Sequence, residues 1–272
     1  MLRTDDPVKK AALQAELREK AVPGTIDVNI MTKLDRVPYT KGEPLPREYS
    51  DAKSALRGFA NSTLRSSIVC SAGMNREFYI YFESFRDFYP DSNGVLRKKI
   101  ILKVSDFRSA EIQGKFLAKR GLWVSEYRIE SGLNCGGHAF ATKGLLLGPI
   151  MDEFRENREQ LAEMLLSVYN NALENLGYDP FDKPPDMRIT VQGGIGTANE
   201  NNLLLEYYNA DCTGWGTPFM LVPEAINIDS AHLSKLAAAT DKDVYLSDSS
   251  PLGVPFWNLG TSASEMARRN RI

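Results

Sequence analysis

The chain has 272 residues, 43% hydrophobic and 25% charged, enough to bury a sizeable core as one or two domains. Its 33 Lys and Arg against 35 Asp and Glu leave a net charge of −2, which is no electrostatic footprint for nucleic acid or an anionic membrane surface. Three cysteines (Cys70, Cys135, Cys212) without a CxxC spacing, a charged first segment and no apolar run near ~20 residues speak against a disulfide framework, structural zinc, a signal peptide and a membrane span, so the expectation is a cytoplasmic protein acting on a small molecule.

Asp5 and Asp6 as caps, Pro7 as a first helical residue and Pro23-Gly24 as a stop predict a charged, peripheral helix within residues 1–25. IDVNIM (26–31) is a β-branched run suited to a buried strand, and the Pro-rich VPYTKGEPLPREY reads as loop. Asp51 caps a short helix reaching Leu64, and SSIVCSAG (66–73) is the next strand. KKIILKVSD (98–106) is nearly continuous in apolar residues, as expected of a strand with both faces covered. The helix FRSAEIQGKFLAKR starts beside Ser105 and Asp106 and stops at Gly121, and LWVSEYRI resumes a strand, completing a βαβ unit. Pro149 opens a long helix with Ile150, Phe154, Leu161, Leu165, Val168, Ala172 and Leu176 on one face, ended by Gly177. After a rigid YDPFDKPPD linker come strand MRITVQ, helix TANENNLLLEYYN and strand ADCTGWGTPF. Asp229 caps a final helix, residues 243–260 are rich in turn formers, and 261–272 form a tail. The fold class is α/β. About six strands are recognisable where a (β/α) barrel of the TIM type needs eight, so residues 26–260 are expected to form such a barrel, incomplete in its first strands.

The sharpest chemical signal is GGIGTANE (193–200), which follows an apolar strand and precedes a helix. Glycines let a ligand approach the backbone there, and the helix start offers N–H groups to a phosphate. A tight βα turn asks for glycine equally. GWGT (214–217) ends the next strand, and paired glycine turns on successive strands match the phosphate site of a barrel's last βα loops. The spacing is not that of a dinucleotide fingerprint. SGLNCGGHAFAT (131–142) places His138, one of two histidines, after a strand's carboxyl end, where it can serve as acid or base or be satisfied by backbone. His232 lies in a surface helix and reads as inert. Cys135 lacks a nucleophile's partners, Cys70 and Cys212 read as core, and no ligand spacing suggests a metal. Lys103 is unusual in so apolar a strand: it either snorkels or points into a barrel mouth, towards a phosphate or a reduced flavin.

VNI (28–30), SSIVCSAG, the strand–helix–strand unit from Lys98, NCGGH (134–138), GGI (193–195) and WGTPF (215–219) stand in an order that resembles the nitronate monooxygenase (2-nitropropane dioxygenase-like) family of FMN barrels, over residues 26–222. That resemblance implies an FMN-dependent oxidoreductase with the flavin phosphate on Gly193, Gly194, Gly216 and Thr217. It puts Asn29 and Lys103 on the ring side, and His138 as the acid–base residue. Two features depart from the family: Asn134-Cys135 replaces its Glu-Ala, and nothing before Ile26 matches its first, Pro-Met-bearing strands. The departures leave open a glutamate synthase-like or reductase flavin barrel, and a non-catalytic subunit or scaffold. They also suggest a homo-oligomer or partner chain that completes the barrel.

Overall fold

A computed structural model of the chain describes residues 6–20, 24–30, 35–71, 73–130, 147–193, 195, 197–215, 229–247 and 256–271. Helix α1 (Pro7–Lys20) has no buried residue, its few apolar side chains making too narrow a stripe to dock. The chain continues through β1 (Val28–Ile30), a small hairpin of β2 (Tyr39–Thr40) and β3 (Glu43–Pro44), α2 (Asp51–Ala60), β4 (Ser67–Cys70), α3 (Arg76–Tyr81) and β5 (Lys99–Val104). Next come α4 (Phe107–Ala118), β6 (Val124–Glu130), α5 (Leu147–Asn175), β7 (Arg188–Gln192), α6 (Ala198–Asn202) with a π-helical continuation (Leu203–Tyr207), and β8 (Cys212–Gly214). The last elements are α7 (Ser230–Ala238), β9 (Val244–Ser247), β10 (Phe256–Leu259) and α8 (Ala263–Arg269).

Six strands form one sheet in the order β1-β4-β5-β6-β7-β8, every pairing parallel. They are the six strands expected from the sequence. Crossovers of one hand between sequential neighbours place all their helices on the same face, and the sheet curls away from them into a half-barrel. Among the described residues, β1 and β8 each pair on one side only.

The core lies on the helix-bearing face. Ile68 and Cys70, Ile100, Leu102 and Val104, Tyr127 and Ile129, and Ile189 and Val191 alternate along their strands into one buried cluster. Leu56 and Phe59 of α2, Phe78 of α3, Leu117 of α4, and Phe154, Leu161 and Leu165 of α5 complete it. Each such side chain contributes ~1.5–3 kcal/mol when fully buried. A bulge in β6 decides what the other face carries. Ile100 opposes Val124 but Ile101 opposes Glu126, so Ser125 is an extra residue that reverses the alternation. Glu126, Arg128 and Glu130 thereby turn inward.

Several expectations are corrected. The helix expected to reach Leu64 stops at Ala60, because Lys98 Nζ takes the carbonyls of Phe59 (2.8 Å), Ser62 (3.0 Å) and Leu64 (2.8 Å) at its end. Residues 76–88 hold α3 and two 3-10 turns that no sequence period announced. The turn-rich residues 243–260 include the antiparallel β9–β10 hairpin, and the expected tail carries α8, capped by Ser262. His232 is structural: Asp229 Oδ2 lies 2.5 Å from its Nδ1, and its Nε2 accepts from the Ala263 N–H (3.3 Å), joining α7 to α8. Cys70 is buried as expected, whereas Cys212, on an edge strand, is exposed. Among the described residues no helix is long and apolar enough to cross a membrane.

Candidate functional site

The carboxyl ends of β5, β6, β7 and β8 lie side by side, and their inward residues form a continuous polar chain. Lys103 registers with Arg128 and Arg128 with Thr190, while one step further Glu130 registers with Gln192 and Gln192 with Gly214. Lys103 Nζ sits 3.1 Å from Glu130 Oε1, and Gln192 Nε2 donates to the same oxygen at 2.9 Å. Both charged side chains are nearly buried, 11% and 6% exposed, so water screens the pair weakly. Gln192 is in turn pressed by its neighbour strand. A Cβ on Gly214 would meet Gln192 Cβ at 2.8 Å, so only glycine lets the two strand ends approach this closely.

Below this chain, towards the amino ends of the strands, Glu126 anchors a second network. Its Oε1 accepts from Arg128 Nε (2.9 Å), Arg128 Nη2 (2.7 Å) and Thr190 Oγ1 (2.7 Å), and its Oε2 from Arg188 Nη2 (3.0 Å). The buried carboxylate is thus paired twice and fully hydrogen-bonded, the condition under which a buried charge is tolerated. The inner face is therefore ionic, with Val69 and Ile101 as apolar exceptions.

Of the residues singled out from sequence, Asn29 and Lys103 come to this same inner face. Asn29 registers with Val69 and Val69 with Ile101, and Lys103 lies two residues beyond Ile101. Asn29 is exposed, so a ligand in the half-barrel can reach it. Gly193 adopts φ +82° directly after β7, confirming a turn that needs glycine. Its N–H, however, donates to Gly214 O at 3.1 Å and is not available to a phosphate. The start of α6 is partly closed. Thr197 and Glu200 form a capping box, in which Glu200 Oε2 accepts from Thr197 N–H (2.9 Å) and Thr197 Oγ1 accepts from Glu200 N–H (3.3 Å). Two of the N–H groups at this helix start, those of Thr197 and Glu200, are thus taken within the box. His138, Gly194, Gly216 and Thr217 lie outside the described residues.

Glu130, Gln192 and Glu126 were missed in the sequence. The two glutamates left a signal, as charged residues spaced by two with Arg128 in an otherwise apolar strand, but the face they occupy depends on the Ser125 bulge. The Thr197-x-x-Glu200 box was equally legible. Comparison with known proteins adds nothing: no protein-family model matches the chain, and no curated protein matches it significantly.

The described residues fit the ring side of a flavin better than its phosphate side. Lys103 supplies a nearly buried cation fixed by two partners, and Asn29 an exposed amide on the same face.

Proposed function

We propose that the chain is an FMN-dependent oxidoreductase built on a TIM-type half-barrel, with its site at the carboxyl ends of β5–β8. The observation that carries this reading is Lys103, held at 3.1 Å by Glu130 at the mouth of a sequentially ordered parallel sheet, on the face that also bears Asn29. Ligands of α/β barrels bind at that end of the strands. FMN, when bound, would supply the electron transfer. The chain's own part is binding and charge placement. Glu130 and Gln192 fix the direction of the Lys103 ammonium, so that it can oppose negative charge on a neighbouring ring. Asn29 offers a donor and an acceptor. Gly194, Gly216 and Thr217 are proposed to hold the phosphate after Gly193 turns the chain, and His138 to exchange the proton of a small-molecule substrate. A second copy or a partner chain would pair with β1 or β8 to complete the barrel.

Equilibrium dialysis of the purified chain against FMN and against riboflavin tests the reading. FMN retained more tightly than riboflavin, and lost in Gly194→Ala or Gly216→Ala, supports a phosphate site on the turns. A colourless protein that takes up neither refutes it. That result would favour the second reading, a non-catalytic barrel subunit, which the internally satisfied Gly193 and Thr197 N–H groups support.

A further inference from the structure

Beyond the carboxyl end of β4 lies a cleft of about 470 Å³, walled by Asp35 after β1, by Arg47 and Ser50 before α2, and by Arg76 and Glu77 at the start of α3. Of its two carboxylates, one is paired with cations and the other is held by a backbone N–H. Glu77 pairs with Arg47 and, at 3.8 Å, with Lys53 Nζ. Asp35 Oδ1 accepts from the Ala52 N–H at 2.9 Å, in the first turn of the ten-residue α2. Arg76 is exposed and has no ion pair among the described residues. Ser50 occupies the N-cap of α2 without capping it, because Asp35 has taken that place. The residue is 2% exposed and its Oγ has no hydrogen-bond partner. A buried hydroxyl with an unmade bond is uncommon and calls for a partner.

We propose that this cleft binds a small oxyanion, the carboxylate or phosphate end of an organic molecule, with Arg76 as counter-ion and Ser50 Oγ as hydrogen-bond donor. The two carboxylates, Asp35 and Glu77, face three cations, Arg47, Lys53 and Arg76, so an anion meets a surplus positive charge and an unused hydroxyl. The site does not depend on flavin binding. Oγ stands in the wall rather than in the open cleft, so its donation to the ligand requires a rotation of the Ser50 side chain.

The test titrates the full chain with succinate, followed by saturation-transfer NMR, and separately with inorganic phosphate, followed by phosphorus line broadening. At least one probe should bind in the millimolar range or better. Succinate alone would identify a carboxylate site, and phosphate alone a phosphate site. Arg76→Gln should weaken binding about tenfold or more and Ser50→Ala severalfold, the scale of one charge-assisted and one neutral hydrogen bond. Lys119→Gln, an exposed change outside the cleft, should leave the affinity unchanged. Binding of neither probe, or an affinity undiminished in Arg76→Gln or Ser50→Ala, overturns the proposal.

Discussion

Replacing Lys103 with Met separates a buried ion pair from a decorative one. Methionine keeps the length and packing of the stem and removes the charge. An exposed pair would contribute ~0–1 kcal/mol. Here both side chains are nearly buried at 3.1 Å, and the substitution strands Glu130 away from water, for which ~3–5 kcal/mol is typical. Gln192 Nε2 still donates to Glu130 Oε1 at 2.9 Å, so the lower end, about 3 kcal/mol, is expected. For a chain of this size that is roughly 6–12 °C in Tm. Adding Glu130→Gln removes the stranded charge and should recover about 1–2 kcal/mol, a coupling within the range of contacting residues. Urea unfolding followed by circular dichroism measures all four proteins of the cycle, with the slope checked for constancy. A loss under about 1 kcal/mol in Lys103→Met, or no recovery in the double variant, would refute the picture of a dry, ionic mouth. The double variant also lets FMN affinity be measured on a stable protein, so loss of the ring-side cation is not confused with unfolding.

Gly114→Ala should destabilise the chain by ~1–3 kcal/mol despite the ~1 kcal/mol helix preference for Ala, because its Cβ would overlap the Tyr127 hydroxyl and crowd Leu165 Cδ1 at 3.1 Å. Tyr127→Phe removes a buried hydroxyl that has no partner, so it should be neutral or stabilising and should relieve Gly114→Ala; equal effects of Gly114→Ala in both backgrounds would contradict this packing. Iodoacetamide should alkylate exposed Cys212 in the native protein and Cys70 only after unfolding, as peptide mapping can show. Burial pushes the Cys70 thiol up to about 12, so the unfolded chain loses this proton first; stability should fall as pH rises from the usual thiol range towards 12, and Cys70→Ala should flatten that limb of the profile. His138→Ala should lower turnover ~10²–10⁴-fold with FMN still bound, and activity within a few-fold at full occupancy would move the acid–base role elsewhere.

The strands were legible because burial on both faces writes itself as apolar runs: KIILKV needs no partner to be read as β5. The site was less legible, because its parts meet only through register. Glu126 bonds Arg188 and Glu130 bonds Gln192, each 62 residues away, and a one-residue bulge chooses the face on which they meet. Gly193 shows both halves of this. Its need for positive φ is visible in Gly193-Gly194 after an apolar strand, but the donation of its N–H to Gly214 O is a property of two strand ends. The β9–β10 hairpin was hidden differently, since its turn-rich flanks outweighed two short strands.

The charged inner face and the half-barrel of six strands belong to one argument. A closed (β/α) barrel fills its interior with layers of branched apolar side chains, which suits a space that no water enters. Here the corresponding face presents Lys103, Glu126, Arg128, Glu130, Arg188, Thr190 and Gln192, each bonded to another member of the set. A six-stranded sheet with an apolar inner face would expose a large adhesive patch along its open side. An ionic face removes that hazard, and its internal pairing spares most of it the penalty of unpaired buried charge. Such a lining selects its occupant. Whatever fills the half-barrel, a cofactor or a completing strand, must satisfy the polar atoms it covers, and a purely apolar strand would strand Arg188, whose side chain is 53% exposed. The chemistry proposed for Lys103 therefore draws on an arrangement that the open fold already requires.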